Sequence, residues 1–300
     1  MGIMDKFILS ASRRTDIPAF YMPWFMDSIA QGCFEVLNPY NRKISMVPVG
    51  VKRVHTIVFW SKDFGPFLEG GYGEDLIDRG YRLFFNFTVN SVDRLLEPRV
   101  PDLAARLEQL AVLCRRFGPR VINWRFDPLC FYDTALSGRA DNLGDFDLIA
   151  AAAGRLGIER CVTSFMDDYA KIRKRTAAMP GFGFLDPPLE EKVSTCLMMA
   201  RKLEAYNIRL QTCCEKEVLA LLPAGSGIEK GRCISADLLM ELFGGRIRQK
   251  RDSGQRVAAG CGCHVSRDIG SYAWHPCHHN CLFCYANPAV DSAGYREQET

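Results

Sequence analysis

The stretch Val121-Ile122-Asn123-Trp124-Arg125-Phe126-Asp127-Pro128 decides how this chain is read. Its first half is apolar and β-branched, so it forms a strand, and its end carries Arg125 and Asp127 before a proline. Buried unpaired charge is costly, so such a strand either opens into a polar pocket or lets its two charges neutralise each other. The pattern recurs along the chain. Residues 7–11 form an apolar run ending in Ser12-Arg13-Arg14-Thr15-Asp16, residues 54–60 end in Ser61-Lys62-Asp63, and residues 83–89 carry Asn86 and Thr88. Residues 160–165 run into Met166-Asp167-Asp168, residues 208–212 into Cys213-Cys214-Glu215, and 33–37 form a further short strand.

Helices are expected between these strands. An aromatic-rich one spans 18–31, and 102–117 carries Leu103, Leu107, Leu110 and Leu113 at helical spacing. Others cover 146–156, 190–206 and 236–243. Alternating strands and helices predict βα units around a parallel sheet: an α/β fold, a complete or partial parallel (β/α) TIM-like barrel. Residues 1–245 form the barrel. Residues 246–300 form a C-terminal cysteine-rich segment packed on it, basic and polar over 245–258 and with a polar tail after 288. The glycine-rich stretches Gly70-Gly71-Tyr72-Gly73 and Gly225-Ser226-Gly227 lack the strand-then-helix setting of a nucleotide fingerprint and read as loops.

In a parallel barrel the polar strand ends converge on one catalytic face. That makes Arg13, Asp16, Lys62, Arg125, Asp127 and Asp168 the candidate catalytic residues. Arg13 with Arg14 suits bidentate binding of a carboxylate or phosphate. The competing reading makes Asp16 a helix N-cap with Pro18 just inside the helix. Asp168, beside Asp167, reads as a cap or as half of a carboxylate pair.

The totals set bounds. The chain has 300 residues, is 48% hydrophobic and carries a formal charge of +3, so it buries a sizeable core and has no strong field for nucleic acid. No run reaches the roughly 18 apolar residues of a membrane span, and the start lacks a signal-peptide pattern. Thirteen cysteines without export point to metal ligation in a reducing cytoplasm rather than to disulfides.

Residues 261–287, CGCHVSRDIGSYAWHPCHHNCLFCYAN, hold five of those cysteines and four of the five histidines. Cys277, Cys281 and Cys284 stand as Cys-x-x-x-Cys-x-x-Cys. Three thiolates on one tight loop suit three corners of a [4Fe-4S] cluster, which leaves one iron open to a small molecule. The histidines are alternative ligands. Cys33, Cys114, Cys130, Cys161 and Cys196 lie in apolar segments and read as core.

That triplet resembles the signature of the radical S-adenosylmethionine (SAM) enzymes. The wording His-x-x-Cys-Leu-Phe-Cys-Tyr-Ala is similar to the group that includes spore photoproduct lyase. In those enzymes the triplet lies near the N-terminus; here it lies near the C-terminus. Together with Ser12-Arg13-Arg14-Thr15-Asp16-Ile17-Pro18, Phe59-Trp60-Ser61-Lys62 and Trp124-Arg125-Phe126-Asp127-Pro128, it resembles a prokaryotic family of unknown function with a C-terminal radical-SAM-like cysteine cluster, over about residues 7–288. The resemblance implies SAM bound at the open iron, with Phe283, Tyr285 and Asn287 beside it. Ser266 and Asp268 would orient SAM or cap the loop. It also implies a second cluster on Cys214, Cys233, Cys261 and Cys263, which would hand electrons to the first.

The expected function is therefore reductive cleavage of SAM to act on an unidentified small molecule, with a ferredoxin- or flavodoxin-type reductant. The alternatives are a structural zinc knuckle built from Cys261, Cys263, Cys281 and Cys284, a redox iron–sulfur protein without SAM, and a DNA repair lyase.

Overall fold

The structure, a computed structural model, describes residues 6–136 and 138–286. Eight strands form one sheet: β1 (Phe7–Ala11), β2 (Val54–Ser61), β3 (Leu83–Thr88), β4 (Ile122–Arg125), β5 (Arg160–Thr163), β6 (Arg209–Thr212), β7 (Glu229–Lys230) and β8 (Ser266–Asp268). All pairs are parallel, in the order β7-β6-β5-β4-β3-β2-β1-β8. Each strand lies beside its predecessor, and the last lies beside the first, Ser10 opposite Asp268.

The sheet curls. Asn86 Nδ2 on β3 donates to the Cys233 carbonyl just past β7, at 3.0 Å. Strand pairing does not close it: among the described residues β7 and β8 are not paired with each other. The seam beside them is crossed by His264 N donating to Ile234 O at 3.0 Å. Of the complete or partial barrel expected, strand pairing does not complete the barrel, and the structure shows an eight-stranded parallel sheet with one seam. The physical reason is that two- and three-residue polar edge strands offer too little ladder to pair across it.

Both faces of the sheet are buried, as in parallel sheets generally, so its strands read as nearly continuous apolar runs. All eight residues of β2 and all six of β3 are buried. Alternate side chains diverge. Phe59, Phe85, Phe87 and Trp124 face the helical layer, where Phe85 meets Phe67 at 5.7 Å and Phe117 at 5.1 Å. Truncating a buried phenylalanine such as Phe85 costs about 3–5 kcal/mol. Ile8, Val58, Trp60 and Phe84 face the concave interior. There Arg160 Nε donates to Asn123 and Asn123 Nδ2 to Asn86, which satisfies polar groups that would otherwise be buried at a cost.

Several expectations change. The helix over 18–31 is two helices, Ile17–Phe20 and Met22–Gln31, broken at Tyr21. Pro23 has no N–H and its ring excludes a continuing turn, so the second helix starts afresh with proline in its first turn. The glycine-rich 70–73 stretch launches a helix, Tyr72–Asp78, with left-handed Gly71 (φ 62°) ahead of it. A Cβ on Gly73 would fall 2.3 Å from the Phe117 ring, so only glycine lets that helix pack. Cys33–Leu37 pairs antiparallel with Ile44–Pro48 outside the main sheet. The segment set apart at 246–300 supplies β8, and its tail after 288 lies outside the described residues.

Candidate metal centre

Five cysteines gather where β6, β7 and the approach to β8 meet. Cys213 and Cys214 follow β6, Cys233 follows β7, and Cys261 and Cys263 precede β8. The sulfurs of Cys213, Cys214 and Cys261 all lie within 4.8 Å of one another. Cys213 Sγ is 3.7 Å from Cys214 Sγ and 3.8 Å from Cys233 Sγ, and Cys263 sits in contact with Cys233 and Cys261. Neighbours on an extended strand would point apart. Here Cys214 adopts a left-handed φ of 66°, rare for a non-glycine residue, and both sulfurs turn into one nest.

The thiols titrate as one system. Contacts from Cys213, Cys214 and Cys263 lower the pKa of Cys261. Contact with Cys213 and burial push Cys233 up to about 12. Cys213, Cys214 and Cys261 could together hold a metal ion. Four thiolates at about 2.3 Å around a tetrahedral ion stand about 3.8 Å apart. Thiolates on the corners of a four-iron cluster stand farther apart, because the inorganic core lies between them. Cys214, Cys233, Cys261 and Cys263 are thus brought together, with Cys213 among them. The signal that reveals Cys213 is the vicinal Cys-Cys pair at a strand end.

Two guanidiniums flank the nest. Trp60 carries Arg13 at 5.2 Å and Arg125 at 4.9 Å from its ring, and its Nε1 donates to Ser10. Burial works against charge on Arg13, but Cys263, Asp268 and Cys233 outweigh it and raise its pKa. Burial also opposes charge on Arg125, and Asp127, 2.5 Å from its Nη2, prevails with Cys233 and Cys213. Asp127 also accepts from Ser164. Asp268 accepts from Ser10, Ser12, the Arg13 N–H and the Gly270 N–H, while Ser266 accepts from Arg13 Nη1. Both residues therefore brace the loop after β1. Burial first pushes Glu215, beside Cys214, up to about 7.

The loop with Cys277, Cys281 and Cys284 lies across the C-terminal ends of β1 and β2. Tyr21, freed by the helix break, donates to Pro276 O at 2.6 Å, and Tyr285 donates to Arg13 O at 3.1 Å. Arg175 gathers the carbonyls of Cys281, Leu282 and Cys284. Burial pushes Cys277 up to about 12, with Asp16 and Cys284 adding to it, and raises Cys281 well above the ordinary thiol value. Under the loop, the ion pair of half-buried Lys62 with buried Glu97 (2.5 Å) lies beside Cys281 and the Phe283 ring. Cys281 and Cys284 pack in a cluster separate from that of Cys261 and Cys263, so the alternative zinc knuckle joining the two pairs is not assembled.

The remaining candidates fall as follows. Asp16 caps helix Ile17–Phe20 through Ala19 N and accepts from Ser61 Oγ, Lys62 N and His279 Nε2, so its oxygens are fully occupied. Asp168 is exposed and paired with Arg173, away from the interior. Asn287 lies outside the described residues. His264 Nδ1 accepts from Ala236 N and caps a helix, and His275 packs on Trp24 at 4.0 Å. No helix of the described residues is long and apolar enough to cross a membrane.

A family model described as a domain of unknown function, DUF1848, matches residues 8–286. No curated protein matches. Among solved structures, a D-hydantoinase is 12% identical over 67% of this chain and 47% of its own, with a TM-score of 0.32. A D-hydantoinase from a Bacillus sp. AR9 is 12% identical over 60% of this chain and 40% of its own, with a TM-score of 0.30. The chain spans less than half the length of those enzymes, and a likeness this slight carries neither fold nor activity.

Proposed function

The chain belongs to that family of unknown function, and from this footing we propose that it is a metalloprotein with two sulfur sites. In the first, the nest of Cys213, Cys214, Cys233, Cys261 and Cys263 holds a thiolate-bound ion. The single observation that carries this reading is that the sulfurs of Cys213, Cys214 and Cys261 all lie within 4.8 Å of one another, close enough to share one ion. Tetrahedral sulfur sites suit zinc or iron. Ligands on either side of the β7–β8 seam would make this ion a staple for the sheet.

In the second site, Cys277, Cys281 and Cys284 hold a [4Fe-4S] cluster, and SAM binds in front of it. An iron–sulfur cluster with an open iron supplies an electron to a bound sulfonium. This chain's own residues would do the rest. Lys62 would stay charged beside Cys281 and offset cluster charge, Phe283 would shield the loop, and Arg175 would fix its carbonyls. Arg13, Arg125 and Asp127 would orient the substrate at the strand ends. What supports this reading is the seating of the loop over those ends, together with the family's motifs. A cytoplasmic setting and a small reductant protein fit the same chemistry.

Metal analysis of anaerobically purified protein tests both sites. The nest reading expects one equivalent of zinc or iron, lost in Cys261→Ser. The triplet reading expects a brown protein with absorption near about 400 nm, abolished in Cys281→Ala, and 5′-deoxyadenosine formed from SAM under reduction. Colourless protein that keeps zinc in Cys281→Ala and loses it in Cys261→Ser would leave the nest alone as a structural centre.

A further inference from the structure

A cavity of about 210 Å³ lies at the opposite end of the sheet from the triplet loop. Its walls include Arg160, Arg209 and Glu229, the first residues of β5, β6 and β7, together with Lys230, Arg232 and Ser235. Four cations therefore face one carboxylate. Three of them have carboxylate partners: Arg160 with Glu159 at 3.4 Å, Arg209 with Glu229 at 3.5 Å and Arg232 with Asp237 at 2.7 Å. Lys230 has none among the described residues. Arg160 is 4% exposed and held rigidly by Asn123, so its charge is fixed in place as the cavity's back wall.

Ser235 caps the helix Ala236–Phe243, its side chain accepting from Leu238 N. Ser235 and Leu238 both line the cavity, so the positive end of that eight-residue helix adds to the field of the side chains. Guanidinium forks, a lysine with no carboxylate partner among the described residues and a helix N-terminus on one concave wall suit a tetrahedral oxyanion. The volume exceeds that of a free phosphate and leaves room for a small organic substituent.

We infer that this cavity binds a phosphate group, carried by a small phosphate monoester or free in solution. It is distinct from the sulfur sites, although Lys230 and Arg232 also pack over Gly262, between Cys261 and Cys263.

The test is isothermal titration calorimetry of the full chain with inorganic phosphate and with methyl phosphate, at constant ionic strength. Saturable binding of either is expected; the tighter of the two names the source. Lys230 is exposed, so Lys230→Gln folds, and binding should weaken about tenfold. Arg232→Gln should weaken it as well. No saturable heat with either phosphate, or Lys230→Gln within twofold of wild type, overturns the inference.

Discussion

Asp16 ties three parts of the molecule together, and replacing it by alanine tests that arrangement. Its two oxygens accept from Ala19 N at 3.1 Å, Ser61 Oγ at 2.7 Å, Lys62 N at 2.8 Å and His279 Nε2 at 2.8 Å. The loss of a helix cap costs about 1 kcal/mol. Lys62 N and His279 Nε2 are left without this acceptor, at about 1–2 kcal/mol apiece, and Ser61 Oγ keeps only the Asp63 carbonyl at 2.8 Å. The sum is about 4 kcal/mol. With unfolding entropy near 2.1 cal/mol/K per residue, a chain of this length has about 0.6 kcal/mol/K, so Tm should fall by about 6 °C. The effect should also be local. Hydrogen exchange should speed up in the 275–285 peptide, which His279 anchors to Asp16, and stay unchanged in β3. Asp16→Asn keeps the volume but turns one acceptor into a donor, so it should lose about half as much. A Tm within 1 °C of wild type for Asp16→Ala, with the 275–285 peptide still protected, would refute the assignment of Asp16 as the anchor.

Other outcomes follow from the same geometry. Removing metal from the nest with a chelator should lower Tm and raise exchange at Gly231 and His264, whose N–H groups flank the seam; a stable, fully protected seam would show that the ion is no staple. Arg175→Ala should release the triplet loop, costing about 2–5 kcal/mol through lost charged-donor hydrogen bonds, with faster exchange at Leu282 and Cys284. Burial holds Cys114 and Cys196 up to about 12, so both stay protonated from pH 7 to 9. Iodoacetamide should leave them unmodified in the native protein across that range and alkylate them on unfolding.

The strands easiest to read were the central ones. β2 and β3 are long, apolar and buried on both faces, and the short helix expected over 236–243 is found as Ala236–Phe243. The edges were not legible. β7 is Glu229-Lys230 and β8 is Ser-Arg-Asp, and neither has the length or alternation that marks a strand. Their positions come from backbone pairing alone. The polar strand ends did point inward at Arg13, Lys62, Arg125 and Asp127, whereas Asp168 turned outward to Arg173. The family resemblance implied four nest cysteines, and Cys213 joins them because Cys214 takes a left-handed backbone. Arg175 and Glu97 gave no signal, because their roles come from distant partners. The zinc knuckle failed for the same reason: Cys261 and Cys263 lie nearer in sequence to Cys281 than to Cys213, yet the curled sheet delivers them to Cys213.

The pairing of the first strand with the last has a cost in time. Ser10 and Asp268 are separated by 258 positions. At about 5–20 residues per second a ribosome needs roughly 13–50 s to make that much chain. Throughout that interval the leading strand presents a naked flank of peptide groups, and contacts so remote form slowly once both partners exist. A nascent chain stalled before Ser266 should therefore depend on chaperones and aggregate readily, however sound its central strands.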